Sequence, residues 1–356
     1  MLHLDLHYHP TPMFLRNFCI QHNELLPQSC KLSLNSITSF ICDGAFSAQG
    51  HRLKYLQHGP QSARFSSCNK SKSSHGTSRI ESPVRMAYTS FRSTSASNLS
   101  NAPPILIMHG LLGSKTNWKS LGKIISQQTG RTVYTVDARN HGESPHTDEF
   151  SYYHLAEDIS FFLREHSIPK ACLMGHSMGG RAVMTLALTN PSVVEKLFVL
   201  DISPIGTSES ISTLPRFVEM MRRVEIPPDL QLHEARNYVD EILLPIVPEK
   251  GIRLFLLSNL MKGDGGFSWK VNLESISKNF NPHISTFPPA KDGASFQGQT
   301  FFVGGALSNY IPPKDHDEIR SIFPMAKFSY VQAAGHWLHA DKPQDFLEMI
   351  SPLIKA

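Results

Sequence analysis

From about residue 85 the chain alternates short apolar runs with longer stretches whose apolar positions recur every three or four residues. The short runs, at 85–91, 105–108, 132–136, 172–174, 197–200, 300–303 and 328–331, have the length of strands, and several are apolar throughout. A strand that is apolar on both sides is buried on both faces, as the interior strands of a parallel sheet are. The longer stretches, at 117–128, 152–166, 178–189, 314–322 and 343–354, read as amphipathic helices. Strand and helix in regular alternation predict a mostly parallel central sheet flanked by helices.

The alternation stops at Asp201. Residues 204–289 hold helix-like segments at 214–224 and 234–244, but no convincing strand comes before Thr300. An interruption of that length between two strands of one sheet predicts a helical cap over the C-terminal ends of the strands. The cap is assigned to 205–285, inserted after the sixth strand, and the core to 81–204 together with 286–356.

The first 80 residues are of another kind. They lack a sustained apolar period, are rich in Ser, His and Gln, and carry eight Lys/Arg against three Asp/Glu. Such a segment has too little apolar surface to build a core, so 1–80 is expected to be a disordered leader. Its poverty in acids and its Arg and Ser content match a mitochondrial transit peptide, and Met13-Phe-Leu-Arg-Asn-Phe-Cys-Ile20 suits the start of an amphipathic presequence. His and Pro within the first residues interrupt the apolar stretch that a secretory signal needs.

The leader also accounts for the basic balance. The chain has a net charge of +4, and without 1–80 it is close to neutral, with no basic stripe that argues for nucleic acid. Cys19, Cys30, Cys42 and Cys68 lie in the leader, which leaves Cys172 alone in the body, within an apolar run. A disulfide framework for the body is thereby excluded, and Cys172 reads as a small buried hydrophobe in a reducing compartment. No run approaches the ~18 consecutive apolar residues of a membrane span.

The chemistry is concentrated at strand ends. Gly175-His-Ser177-Met-Gly179-Gly180 follows the run 172–174 and opens the helical stretch 178–189. A serine on so sharp a strand-to-helix turn has its hydroxyl raised to the rim of the sheet, and glycines beside it let the backbones approach. Ser177 is therefore the candidate nucleophile of an α/β-hydrolase fold. A serine hydroxyl needs an adjacent base, and Gly335-His336-Trp337, after the last strand, is where the order nucleophile, acid, histidine puts it. His109, His141, His176 and His339 are weaker candidates because they lie in turns or at a helix start. The oxyanion of a tetrahedral intermediate calls for backbone donors, here Met178 after the nucleophile and Leu111 in His109-Gly-Leu-Leu-Gly113. That Gly-rich loop lacks both the Lys of a phosphate-binding loop and the dinucleotide glycine spacing.

The acid is harder to place. The segment after 300–303 reads Gly304-Gly-Ala-Leu-Ser-Asn-Tyr310 and holds no carboxylate. Asp201, ending the preceding strand, is the leading candidate, Glu274 in Val271-Asn-Leu-Glu-Ser275 the alternative, and loop acids such as Asp315 remain behind them. No cluster of His, Cys and acids has metal-ligand spacing, so no metal and no cofactor is expected.

With these residues in place, the stretch from about Val84 to Ile354 resembles the family of alpha/beta hydrolase domain-containing protein 11 and related bacterial esterases. The resemblance rests on His109-Gly-Leu-Leu-Gly-Ser-Lys-Thr-Asn-Trp118, Thr135-Val-Asp-Ala-Arg-Asn-His-Gly-Glu-Ser144, Gly175-His-Ser-Met-Gly-Gly180, Asp201-Ile-Ser-Pro204 and Gly335-His-Trp-Leu-His-Ala-Asp341. It implies a serine hydrolase of acylglycerols, of the diacylglycerol lipase type, in the mitochondrial matrix and associated with the 2-oxoglutarate dehydrogenase complex. It also implies two positions for the acid, one falling on Asp201 and the other on Glu274. A serine at the nucleophile position argues against epoxide hydrolases and haloalkane dehalogenases, which carry Asp there. The competing expectation is a binding or protective partner of a mitochondrial enzyme complex, in which the triad is vestigial.

Overall fold

The computed structural model describes residues 83–93, 100–206, 209–289 and 291–355. The expected leader 1–80 lies outside the described residues. Among those described, seven strands form one sheet in the order β1-β3-β2-β4-β5-β8-β9. They are β1 (Tyr88–Phe91), β2 (Ile105–Met108), β3 (Val133–Val136), β4 (Ala171–His176), β5 (Val194–Leu200), β8 (Thr300–Gly305) and β9 (Ala326–Val331). Only β1 runs antiparallel, paired to β3 with Tyr88 opposite Val136, and every other pairing is parallel. Each expected strand is present: the first is shortened to Tyr88–Phe91 and the third to Val133–Val136, and the last four are longer than expected by a few residues.

Burial follows position in the sheet. β2 and β4 are buried at every residue, whereas the edge strand β1 alternates exposed and half-buried positions. Ile105, Ile107, Cys172, Met174, Phe198, Leu200, Phe301 and Val303 share one face. They are covered by α1 (Lys119–Thr129) through Leu121 and Ile125, and by α10 (Pro343–Lys355) through Phe346, Leu347, Ile350 and Ile354. Cys172 is a free, fully buried thiol in this layer, and burial pushes it up to about 12. The opposite face is covered by α3 (Met178–Thr189), with α2 (Tyr152–Glu165) packed against it. Helix α8 (His316–Ile322) joins β8 to β9, and the short α9 (Leu338–Asp341) precedes α10.

The long interruption after Asp201 carries α4 (Leu214–Arg223), α5 (Leu232–Leu243), α6 (Lys250–Leu257) and α7 (Leu273–Asn279). Counted among the described residues it follows the fifth strand, β5. The five runs that precede Asp201 in the sequence are the five strands β1 to β5, so no sixth strand stands before the interruption. The interruption is also not wholly helical, because β6 (Leu260–Gly263) and β7 (Gly266–Trp269) form an antiparallel hairpin. Its two-residue connection, Asp264-Gly265, leads into Gly266 at φ +103°, a backbone conformation that glycine adopts without strain. These strands lack a regular apolar alternation, since Met261 and Lys262 are exposed, so periodicity did not reveal them.

Candidate active site

Ser177 sits between β4 and α3 with φ +53° and ψ −116°, a strained conformation for a residue with a side chain. Two bonds hold it: its N–H donates to Leu200 O at 2.9 Å, extending the β4–β5 ladder, and its carbonyl accepts from Arg181 N to open the helix. The turn is possible because Gly175 lacks a side chain. A Cβ there would lie 2.2 Å from the Gly179 carbonyl oxygen. Gly110 has the same role in the loop after β2, where a Cβ would meet His176 Nδ1 at 3.0 Å and Ser177 Cβ at 3.2 Å. The loop carrying Leu111 therefore lies directly against the serine turn.

Both expected oxyanion donors are unspent. Met178 is the first residue of α3, where an N–H has no partner within the helix, and Leu111 N–H donates to nothing among the described residues.

His336 lies between β9 and α9, and its Nδ1 is 2.8 Å from Asp201 Oδ2. A carboxylate only accepts, so Nδ1–H is the donor and Nε2 keeps its lone pair. The ring is held from two sides. Tyr310 stacks on it at 4.0 Å between centroids and 20° between planes, and the His176 ring lies 4.7 Å away. His176 Nε2–H donates to the His336 carbonyl at 2.8 Å, tying the residue beside the serine to the loop of the histidine. Burial, followed by the nearby His336 and His339 rings, holds the His176 imidazole well below its usual range, in its neutral form.

Asp201 is 1 % exposed and, at φ +50°, takes the left-handed conformation that Asp tolerates better than most residues. Gly305 N–H donates to Oδ1 at 2.9 Å, and Ser308 Oγ–H donates to Oδ2. The segment after β8, which lacks a carboxylate of its own, thus supplies the donors that fix a carboxylate from β5 and the ring that stacks on the base. Ser308 and Tyr310 were not anticipated, and the signal for them was the missing acid itself. Glu274 is elsewhere. It is on α7, with its side chain 75 % exposed, and pairs with Arg222 of α4 at 2.6 Å. Asp315 Oδ2 is 3.4 Å from Ser203 Oγ, and the imidazole it acts on is that of its neighbour His316. The carboxylate that meets His336 is that of Asp201.

The loops after β2 and β3 are tied to each other by two buried histidines and by the ammonium of Lys115, which pairs with Asp137 and Glu143. His109 Nδ1–H donates to Gly110 O and its Nε2 accepts from Ala138 N at 3.1 Å. His141 Nδ1–H donates to Arg139 O and its Nε2 accepts from Leu112 N at 3.1 Å. Burial lowers both imidazoles, His141 to about 3. Asp137 receives the Lys115 ammonium and the backbone N–H groups of Lys115 and Glu143. Its own burial would raise its carboxyl, but the His109 ring and these donors outweigh that and hold it below the usual range. No group of three or more His, Cys, Asp or Glu among the described residues is arranged to hold a metal ion, and no described helix is long and apolar enough to cross a membrane.

A parallel sheet bearing a strained serine at the turn into a helix, with an imidazole and a carboxylate at neighbouring strand ends, defines an α/β hydrolase, and residues 103–236 match the family described as alpha/beta hydrolase fold. The chain is 45% identical over 252 residues to the mouse protein named sn-1-specific diacylglycerol lipase ABHD11, covering 71% of this chain and 81% of that one. The zebrafish protein of the same name is 41% identical over 272 residues, covering 76% of this chain and 83% of that one. Among solved structures, a marine microorganism esterase superposes with a TM-score of 0.68 at 31% identity, over 77% of this chain and 100% of its own. This chain belongs to the ABHD11 family of α/β hydrolases.

Proposed function

We propose that this hydrolase is a serine esterase of acylglycerols that works through an acyl-enzyme on Ser177. The observation that carries the reading is the 2.8 Å bond from His336 to the buried Asp201, next to a serine in a strained turn. Ser177 Oγ attacks the ester carbonyl carbon while His336 Nε2 takes its proton, and the oxyanion is met by the N–H groups of Leu111 and Met178. Collapse breaks the bond to the alcohol, which leaves with the proton from His336. Water then attacks the acyl carbon, gives its proton to the same nitrogen, and releases the fatty acid as Ser177 recovers its hydrogen. Asp201 keeps the imidazole in the tautomer that can accept and stabilises the imidazolium formed on the way. Support for a diacylglycerol as substrate comes from the relatives' names, and a relative acting on an ester at 31% identity agrees with the chemistry.

Ser177→Ala tests the reading. It should lower kcat on a diacylglycerol and on p-nitrophenyl acetate by about 10⁴–10⁶ with the melting temperature unchanged. Turnover within about tenfold of wild type would refute it. A fluorophosphonate probe separates the esterase from a binding partner with an idle triad, since only an activated serine is labelled quickly. The association with a 2-oxoglutarate dehydrogenase complex stays what the resemblance implies, with no described residue assigned to it. Residence in the mitochondrial matrix is proposed from the composition of 1–80. A chain lacking those residues should keep its esterase activity and stay in the cytosol, and its import would overturn the assignment.

A further inference from the structure

Leu112 follows the proposed oxyanion donor and stands at φ +61°, 1 % exposed. A β-carbon makes that conformation costly, so something must impose it. Both polar groups of the residue are gripped, from two different parts of the molecule. Its N–H donates to His141 Nε2 at 3.1 Å, and His141 belongs to the loop after β3 in the core. Its carbonyl accepts from Asn259 Nδ2 at 2.8 Å, and Asn259 lies in the long interruption, between α6 and β6. Asn259 is 2 % exposed, and its amide nitrogen also faces Leu256 O at 3.4 Å. Two carbonyl oxygens can only accept, so the amide orientation is fixed by chemistry. The Asn259 carbonyl is in turn taken by Lys270 N at 2.8 Å, which ties the hold on Leu112 to the end of the β6–β7 hairpin. His141 is equally committed, because its other nitrogen donates to Arg139 O.

We infer that Asn259 and His141 are positioning residues for the oxyanion hole: together they lock Leu112 in its left-handed conformation and so aim the adjacent Leu111 N–H, making the inserted region part of the catalytic apparatus and not only a cover. The inference rests on the serine esterase reading. The geometry supplies its logic, since a backbone donor stabilises an oxyanion only when it points at the developing charge. The Leu112 carbonyl shares a peptide with Gly113 N–H, which donates to Gly110 O at 2.9 Å, and Gly110 O shares a peptide with Leu111 N–H. Releasing the Leu112 carbonyl lets that peptide relax from φ +61° and turns the donor away. Substrate contacts need not change, so the loss falls on kcat.

The test uses the full chain, with p-nitrophenyl acetate as a substrate too short to need the inserted region and a long-chain diacylglycerol beside it. Asn259→Leu should lower kcat on both esters by about 10–100-fold with KM little changed, less than the full cost of losing a donor because the N–H is misdirected and not removed. Affinity for a trifluoromethyl ketone, which forms the tetrahedral oxyanion, should fall by the same factor. The pH profile of kcat/KM should not move, because the Asp201–His336 bond is untouched. His141→Leu should behave in the same way, and His141→Gln, which retains an acceptor for Leu112 N–H, should recover most of the rate. If Asn259→Leu does not fold, Asn259→Ser removes the same bond with less added bulk. A folded variant with wild-type kcat, or a loss confined to KM on the long-chain ester, overturns the inference. With Ser177→Ala inactive, that result leaves the esterase reading standing; an active Ser177→Ala fells both.

Discussion

Replacing Asp201 by Asn probes the site at its most specific point. Oδ1 accepts from Gly305 N–H, and Oδ2 accepts from both Ser308 Oγ and His336 Nδ1. In the variant the amide oxygen must stay on Gly305 N–H, which has no other role than to donate. The NH2 then takes the place of Oδ2. Ser308 can reverse its hydroxyl and accept, but His336 can meet an NH2 only by presenting an unprotonated Nδ1. The ring proton is thereby driven to Nε2, the nitrogen that must receive the proton of Ser177. Loss of the charge and the wrong tautomer together should cost about 10⁴ in kcat, or about 5.5 kcal/mol of transition-state stabilisation. Asn tolerates the left-handed φ of +50° as Asp does, so the fold should survive. Steady-state kinetics on p-nitrophenyl acetate give the first number, and circular dichroism with a thermal melt gives the second. Glu274→Gln is the paired control. It removes an exposed contact to Arg222 worth at most about 1 kcal/mol and should leave kcat as it was. Wild-type activity in Asp201→Asn alongside collapse in Glu274→Gln would refute the assignment of the acid and place it on α7.

Ser308→Ala should reduce kcat by a smaller factor, about tenfold, since Asp201 keeps its charge and its bond from Gly305 while losing one orienting donor; unchanged kinetics would show that Gly305 alone suffices. Stability should fall as the solution is acidified. His141 and His339 are both pushed to about 3, chiefly by burial, while the unfolded chain has them near 6.5, so the unfolded state binds more protons in between. Stability from each is complete above about pH 6.5 and is lost toward pH 3 at about 1.4 kcal/mol per pH unit. His339 stacks on Trp118 at 4.2 Å, and its Nδ1 has no hydrogen-bond partner among the described residues, so Phe fits its place. Urea unfolding of His339→Phe from pH 7 to pH 5 should show a shallower slope than wild type by that amount, and equal slopes would contradict the buried neutral state.

The sequence by itself determined the sheet and the serine turn that carries the candidate nucleophile. Runs such as 105–108 and 172–174 are apolar at every position because both faces of a parallel interior strand are covered, and that pattern is local. The elbow was legible because close backbone approach admits only glycine, and Gly175 answers to the carbonyl of Gly179 four residues along. The hairpin β6–β7 escaped because half-exposed strands carry no alternation to detect. What only the tertiary structure decided is everything that depends on pairs far apart in the chain. Asp201 and His336 are 135 residues apart, and no spacing rule could prefer Asp201 to Glu274. The choice is made where β5 and β8 lie side by side, which brings Gly305 and Ser308 to the carboxylate, and where β9 delivers the imidazole. The grip of Asn259 and His141 on Leu112 is of the same kind, since hydrogen bonds across 147 and 29 residues leave no periodic trace in a sequence.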